Sequence, residues 1–246
     1  MFSKFYDYIN VRVPEGVLFY PCSGEDIIEP IKLFGALVDR MIFADISEIK
    51  LPEVNCNKVF INDRLVNHYK TDSNTFFEQG LIEEVHMNTE LQAVDIGPAL
   101  ARDFNMALGS VRPINRVSNI DYYLKDKNKL RVSIYNNDGF LSLLTLSKIS
   151  VFFYRGDAKL AGGSGQWWFS PQLFKTLISR LVDGAIIVTD GGTFHPQYEH
   201  SSWSPLKDKE NRRDFYCYGS HFEYLGELPY DKGSCGIYKI TKASIK

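Results

Sequence analysis

Four short apolar runs, each closed by a polar turn, constrain this chain more than any other feature. They are Val17-Leu18-Phe19-Tyr20, Met41-Ile42-Phe43-Ala44, the run from Ile149 to Tyr154, and Ala185-Ile186-Ile187-Val188. Each is too short for an ordinary helix and lacks the alternation of a strand with one wet face. Such runs read as strands buried on both faces, the kind found at the centre of a parallel sheet.

Helical patterns lie between them. After Pro21-Cys22-Ser23-Gly24 breaks the first run, Ile31, Phe34, Leu37 and Val38 recur at helical spacing and lead into the second. Strand, turn, helix and strand within about thirty residues make a βαβ unit. Pro30 fits as the first residue of a helix starting near residue 29, with 24–28 as an extended loop, because a proline deeper inside would delete a hydrogen bond and clash. In the second half, Leu130 to Tyr135 reads as a strand closed by Asn136-Asn137-Asp138-Gly139, and Phe140 to Leu146 as a short helix. The Ile149–Tyr154 strand stops at Arg155-Gly156-Asp157. A helix follows, with Ser170 as N-cap, Pro171 at the first position, Leu173, Phe174, Leu177, Ile178 and Leu181 on one face, and Gly184 at its C-terminal end. The Ala185–Val188 strand ends in Thr189-Asp190-Gly191-Gly192, and His221 to Leu228 with Gly236 to Ile240 read as an antiparallel hairpin on the sheet edge.

This order predicts an α/β class: one domain over residues 1–246 with a doubly wound, mostly parallel, Rossmann-like sheet and a C-terminal antiparallel hairpin. Residues 46–130 form far more than an ordinary connection. They hold a strand at Val59-Phe60-Ile61 and helical patterns over Phe76 to Val85 and Leu91 to Leu108, the last broken by Pro113-Ile114-Asn115. The expectation is an inserted cap or substrate-binding subdomain.

Composition narrows the function classes. With 44% hydrophobic and 24% charged residues the chain belongs to neither the disordered nor the fibrous class. A net charge of −2 gives no electrostatic footprint for nucleic acid or an anionic membrane. The first residues lack the apolar core of a signal peptide, no stretch has the length of a membrane span, and Cys22, Cys56, Cys217 and Cys235 are scattered without zinc-ligand spacing. Reduced thiols and a cytoplasmic location are expected.

The order of elements, and what stands at the strand ends, resembles the class I S-adenosylmethionine-dependent methyltransferase family over residues 16–47 and 130–242. The resemblance implies S-adenosylmethionine as cofactor and methyl transfer to a small-molecule substrate. It assigns the cofactor to the turn Tyr20-Pro21-Cys22-Ser23-Gly24 with Asp26, to Asp45 at the end of the second strand, 21 residues after Gly24, for the ribose hydroxyls, and to Asp138 for the adenine amino group. Tyr154, Asp157 and Asp190 fall where the family keeps catalytic residues. The family's G-x-G-x-G is reduced here to Gly24, and the Asn/Asp-Pro-Pro-Tyr/Phe motif of amino-methylating members is missing, which disfavours DNA base methylation. Glu25, Asp26 and Glu29 would repel a pyrophosphate and tolerate a sulfonium, although acids in a first helical turn also complement the helix dipole.

Other features keep alternatives open. Gly162-Gly163-Ser164-Gly165 can form an anion-binding nest, with Gln166, Trp167 and Trp168 as a lid, which favours a nucleotide-binding enzyme; it lacks the Gly-Lys-Ser/Thr of a P-loop. His195, Glu199 and His200 do not follow H-E-x-x-H, and Pro196 argues against the helix that metal binding would need, so no metal is expected. The degenerate glycine turn equally suits a non-catalytic or regulatory binding module on the same fold.

Overall fold

The computed structural model describes residues 2–49, 56, 58–66, 81–93, 114–125, 128–155, 168–169, 171–190, 212–230 and 233–243. Its strands are β1 Val17–Pro21, β2 Arg40–Asp45, β3 Lys58–Ile61, β4 Arg64–Val66, β5 Ile82–Ala93, β6 Ile114–Leu124, β7 Lys129–Asn136, β8 Ile149–Tyr154, β9 Leu181–Thr189, β10 Phe215–Cys217, β11 Ser220–Tyr230 and β12 Gly233–Lys242. They form one 12-stranded sheet in the order β10-β11-β12-β9-β8-β1-β2-β7-β6-β5-β3-β4. Among the described residues the α-helices are α1 Ile28–Phe34, α2 Gly139–Leu144 and α3 Pro171–Arg180.

The doubly wound, mostly parallel α/β sheet expected from the sequence is not what forms. The described residues are mostly strand, and among them six neighbouring strand pairs are antiparallel against five parallel. The parallel centre, β9-β8-β1-β2-β7, holds the four solid apolar runs and the Leu130–Tyr135 strand. Around it, β3 to β6 extend the sheet beyond β7, and β10 to β12 extend it beyond β9. The C-terminal hairpin is therefore not the edge: β12 lies between β9 and β11, and β10 is outermost.

The segment over 46–130 explains the misreading best. Phe76 to Val85 and Leu91 to Leu108 match helical spacing, yet 82–93 is the long strand β5 and the remainder lies outside the described residues. Ile82 and Val85 are both buried on one face although three apart, because a register shift between Ile82 and Glu84 inserts an extra residue against β6. A bulge of this kind imitates the i, i+3 step of a helix. At α3 the helix ends at Arg180, so Leu181 begins β9 instead of lining the helix. Gly184 lies inside that strand at φ +77°, in an irregular stretch where the partner register moves from Ile149↔Leu181 to Val151↔Ile186. Ser170 lies outside the described residues.

Two apolar layers sandwich the parallel centre. On one face Ile31, Leu33 and Phe34 of α1 pack with Phe5 and with Leu18, Met41, Phe43, Val151, Phe153, Ile186 and Val188. On the other, Phe140, Leu143 and Leu144 of α2 and Leu173, Phe174 and Leu177 of α3 pack with Phe19, Ile42, Phe152, Tyr154 and Ile187. The strict alternation along β1, β2, β8 and β9 between these layers is what makes their sequences read as unbroken apolar runs. Pro30 is the third residue of α1, still within the first turn, where its missing N–H leaves no intrahelical bond unmade.

Candidate functional site

The carboxyl ends of β1, β2 and β7 lie side by side, with Pro21 opposite Ala44 and Asp45 opposite Asn136. From β1 the chain turns through Cys22 at φ +54° and Gly24 at φ +51° before entering α1. A Cβ built on Gly24 would meet nothing within 4 Å, so the glycine is required by its backbone conformation and leaves open space beside it.

Asp45, partly exposed, fastens this turn. Its Oδ2 accepts the Gly24 N–H at 2.9 Å and its Oδ1 accepts the Ser47 N–H at 2.8 Å. The Ser23 N–H reaches the Ala44 carbonyl at 3.4 Å. Among the described residues each Asp45 oxygen uses one of its lone-pair directions and keeps another. Next along the rim, Asp138 caps α2: its Oδ1 accepts from Phe140 and Leu141 N–H at 2.8 and 3.2 Å. Its Oδ2 makes no hydrogen bond among the described residues.

On the α1 face a second cluster joins the ends of β1, β8, β9 and β11. The Arg155 Nη1 donates to Asp26 at 3.2 Å and to Glu29 at 2.5 Å. Its guanidinium carbon stands 4.5 Å from the Tyr230 ring centre and 4.9 Å from that of Phe153. Tyr20 donates its hydroxyl to Asp26 at 2.9 Å, and Tyr230 donates to Asp190 at 3.0 Å. Burial, reinforced by Asp26, pushes the Tyr20 phenol well up. Burial also raises the Asp26 carboxyl, with Arg155 acting against it. The Cys235 thiol, facing the same guanidinium, is pushed up to about 12, chiefly by burial.

The residues singled out in the sequence therefore separate. Cys22, Ser23, Gly24, Asp45 and Asp138 share the rim over β1, β2 and β7. Tyr20 and Asp26 belong to the Arg155 cluster, as does Asp190. Tyr154 is 2% exposed on the opposite face, packed against Phe152, Trp168 and Phe169. Neighbouring positions in a strand project to opposite faces, so Tyr154 and Asp190 are not brought together. Asp157, the Gly162–Gly165 stretch, Gln166, Trp167, His195, Glu199 and His200 lie outside the described residues. Of the three acids after Gly24, only Glu29 stands in the first turn of α1; Asp26 precedes the helix, and both it and Glu29 turn to Arg155 rather than outward.

Sequence reading missed the Arg155 cluster. Arg155 counted there as part of a strand stop, Glu29 only as one of three acids after Gly24, and Tyr230 carried no motif. The one available signal was an arginine directly following a solid apolar strand, a costly place for an unpaired charge.

Comparison with protein-family models, with curated proteins and with solved structures finds no match to this chain. Among the described residues no three His, Cys, Asp or Glu side chains converge as a metal site. No helix among them is long and apolar enough to cross a membrane.

Proposed function

We propose that this protein binds S-adenosylmethionine across the carboxyl ends of β1, β2 and β7 and transfers its methyl group to a small polar molecule. The observation that carries the reading is the anchored carboxylate of Asp45. Two backbone N–H groups fix both of its oxygens, and among the described residues each oxygen retains an acceptor direction, which suits the vicinal hydroxyls of a ribose. Gly24 leaves room for a ligand against the backbone. The second oxygen of Asp138 is an acceptor of the kind an exocyclic amino group needs.

The charge of the rim selects among nucleosides. Asp45 and Asp138 are carboxylates, and among the described residues the nearby Arg155 is already committed to Asp26 and Glu29. A pyrophosphate would find no free cation among the described residues there, whereas a sulfonium suits the two carboxylates. The position beside β1 also supports a ligand site. Along the chain, the order of the parallel strands grows toward β2 and β7 on one side of β1 and toward β8 and β9 on the other, and open parallel sheets bind ligands outside their carboxyl ends at such a reversal. The cofactor would supply an electrophilic methyl group. The chain's own contribution would be to hold that group and the acceptor in line and keep water away.

Calorimetry with S-adenosylmethionine and S-adenosylhomocysteine tests this. Micromolar binding to the wild type, lost in Asp45→Ala, is expected. Absence of heat and of any thermal shift with both ligands would sink the proposal, and binding without turnover over a panel of small acceptors would reduce it to a binding module.

A further inference from the structure

The turn that presents Gly24 is short of support from its own helix. α1 has seven residues, and a helix of that length does not hold itself in water. Its N-cap Ile27 provides no side-chain hydrogen bond. What fastens the start of α1 is a side chain far away in sequence: Nη1 of Arg155 bonds both Asp26, in the turn, and Glu29, in the first helical turn. Arg155 is itself immobilised, with a side chain 10% exposed and its guanidinium against the Phe153 and Tyr230 rings. Among the described residues its Nε and Nη2 have no oxygen or nitrogen partner, and the two ring faces are the setting in which a cation tolerates that best. Tyr20 completes the clamp from β1 by donating to Asp26, and Tyr230 ties the assembly to Asp190 at the end of β9.

We propose that Arg155 is the positioning residue of the strand-end site, holding the β1–α1 turn in the shape that presents Gly24 and Asp45 to a ligand. It acts through Asp26 and Glu29 and does not touch the ligand. The inference rests on the ligand site proposed above for its consequence, but the clamp itself is read from the chain. Without the guanidinium, Asp26 and Glu29 lose the cation they share. Two carboxylates in a part-buried setting then repel and the turn opens.

The test uses the whole chain and two readouts. Cys22 stands in the turn and is partly exposed, while Cys56, Cys217 and Cys235 are buried, Cys235 against Arg155 itself; labelling with dithiobis(nitrobenzoate) in a Cys235→Ser background therefore reports on the turn. Arg155→Met is expected to speed Cys22 labelling roughly tenfold and to weaken S-adenosylhomocysteine binding by a similar factor, since tenfold is what a modest positioning loss amounts to. The triple variant Arg155→Met, Asp26→Asn, Glu29→Gln removes the stranded charges and should return both values most of the way. Arg155→Met behaving as wild type overturns the inference. So does a triple variant as impaired as the single one, because that would mean Arg155 contacts the ligand directly. Should Arg155→Met fail to fold, Asp26→Asn with Glu29→Gln leaves the part-buried guanidinium without its two acids and must also speed labelling; unchanged labelling there counts against the clamp. If the wild type takes up no S-adenosylhomocysteine, the ligand reading fails while the labelling comparison still decides the clamp.

Discussion

The Asp45 carboxylate meets the Gly24 backbone N–H at 2.9 Å across 21 residues of chain, tying the end of β2 to the turn after β1. One side chain thus shapes the turn and offers acceptor directions beside it. Replacing Asp45 with Ala strands two N–H groups that were bonded to a charge. A loss of ~1–2 kcal/mol in stability is expected, the usual scale for such bonds at a partly exposed position. Urea denaturation measures it, and an unchanged midpoint would show that the bond contributes nothing to the fold.

Asp138 has two separable roles. Asp138→Ala removes the cap of α2 and should cost ~1 kcal/mol. Asp138→Ser restores a capping oxygen but not the second carboxylate oxygen. It should therefore recover stability while S-adenosylhomocysteine affinity stays reduced. Full recovery of both in calorimetry would make Asp138 a cap alone.

Gly139 sits where α2 meets the end of β1. A Cβ there would stand 2.8 Å from the Cβ of Pro21 and 3.0 Å from Cζ2 of Trp168. Both neighbours are stiff or buried, so Gly139→Ala is expected to destabilise by ~1–3 kcal/mol through overpacking, despite alanine's better helix propensity. A melting temperature equal to or above the wild type would refute the close approach.

Asp121 on β6 is bonded by Arg131 at 2.8 Å and by Lys129 at 2.7 Å. Burial pushes its carboxyl up, but these two cations outweigh burial and leave it below its ordinary value. A depressed carboxyl contributes stability that is present above the unfolded value near ~3.9 and is lost as pH falls through the folded one. Asp121→Asn should therefore be less stable than wild type at pH 7, and the gap should close as pH falls through the lowered folded value of Asp121. A gap that persists in acid would assign the effect to packing rather than to charge.

What the sequence determined by itself is the parallel centre. β1, β2, β8 and residues 185–188 of β9 are read correctly because burial on both faces leaves a local mark, a run with no charged residue; β7, where exposed Arg131 stands between Leu130 and Val132, is marked instead by its closing Asn-Asn-Asp-Gly turn. The turn glycine, the strand-end acids and the proline-led α3 are local in the same sense. The surroundings were decided elsewhere. Whether 82–93 becomes a helix or a strand depends on a partner, β6, and on a bulge that places Ile82 and Val85 on one face. Sheet growth on either side of the centre is a pairing outcome, and pairing leaves little trace in one strand's own residues. The same holds within the site. Gly24 and Asp45 could be matched by spacing, since one turn and one helix separate them. Only the folded chain brings Arg155 to Asp26 and Glu29, and Tyr230 to Asp190. It also sends Tyr154 to the opposite face from Asp190, because alternation along a strand fixes the face of each residue while the register between strands fixes its neighbours.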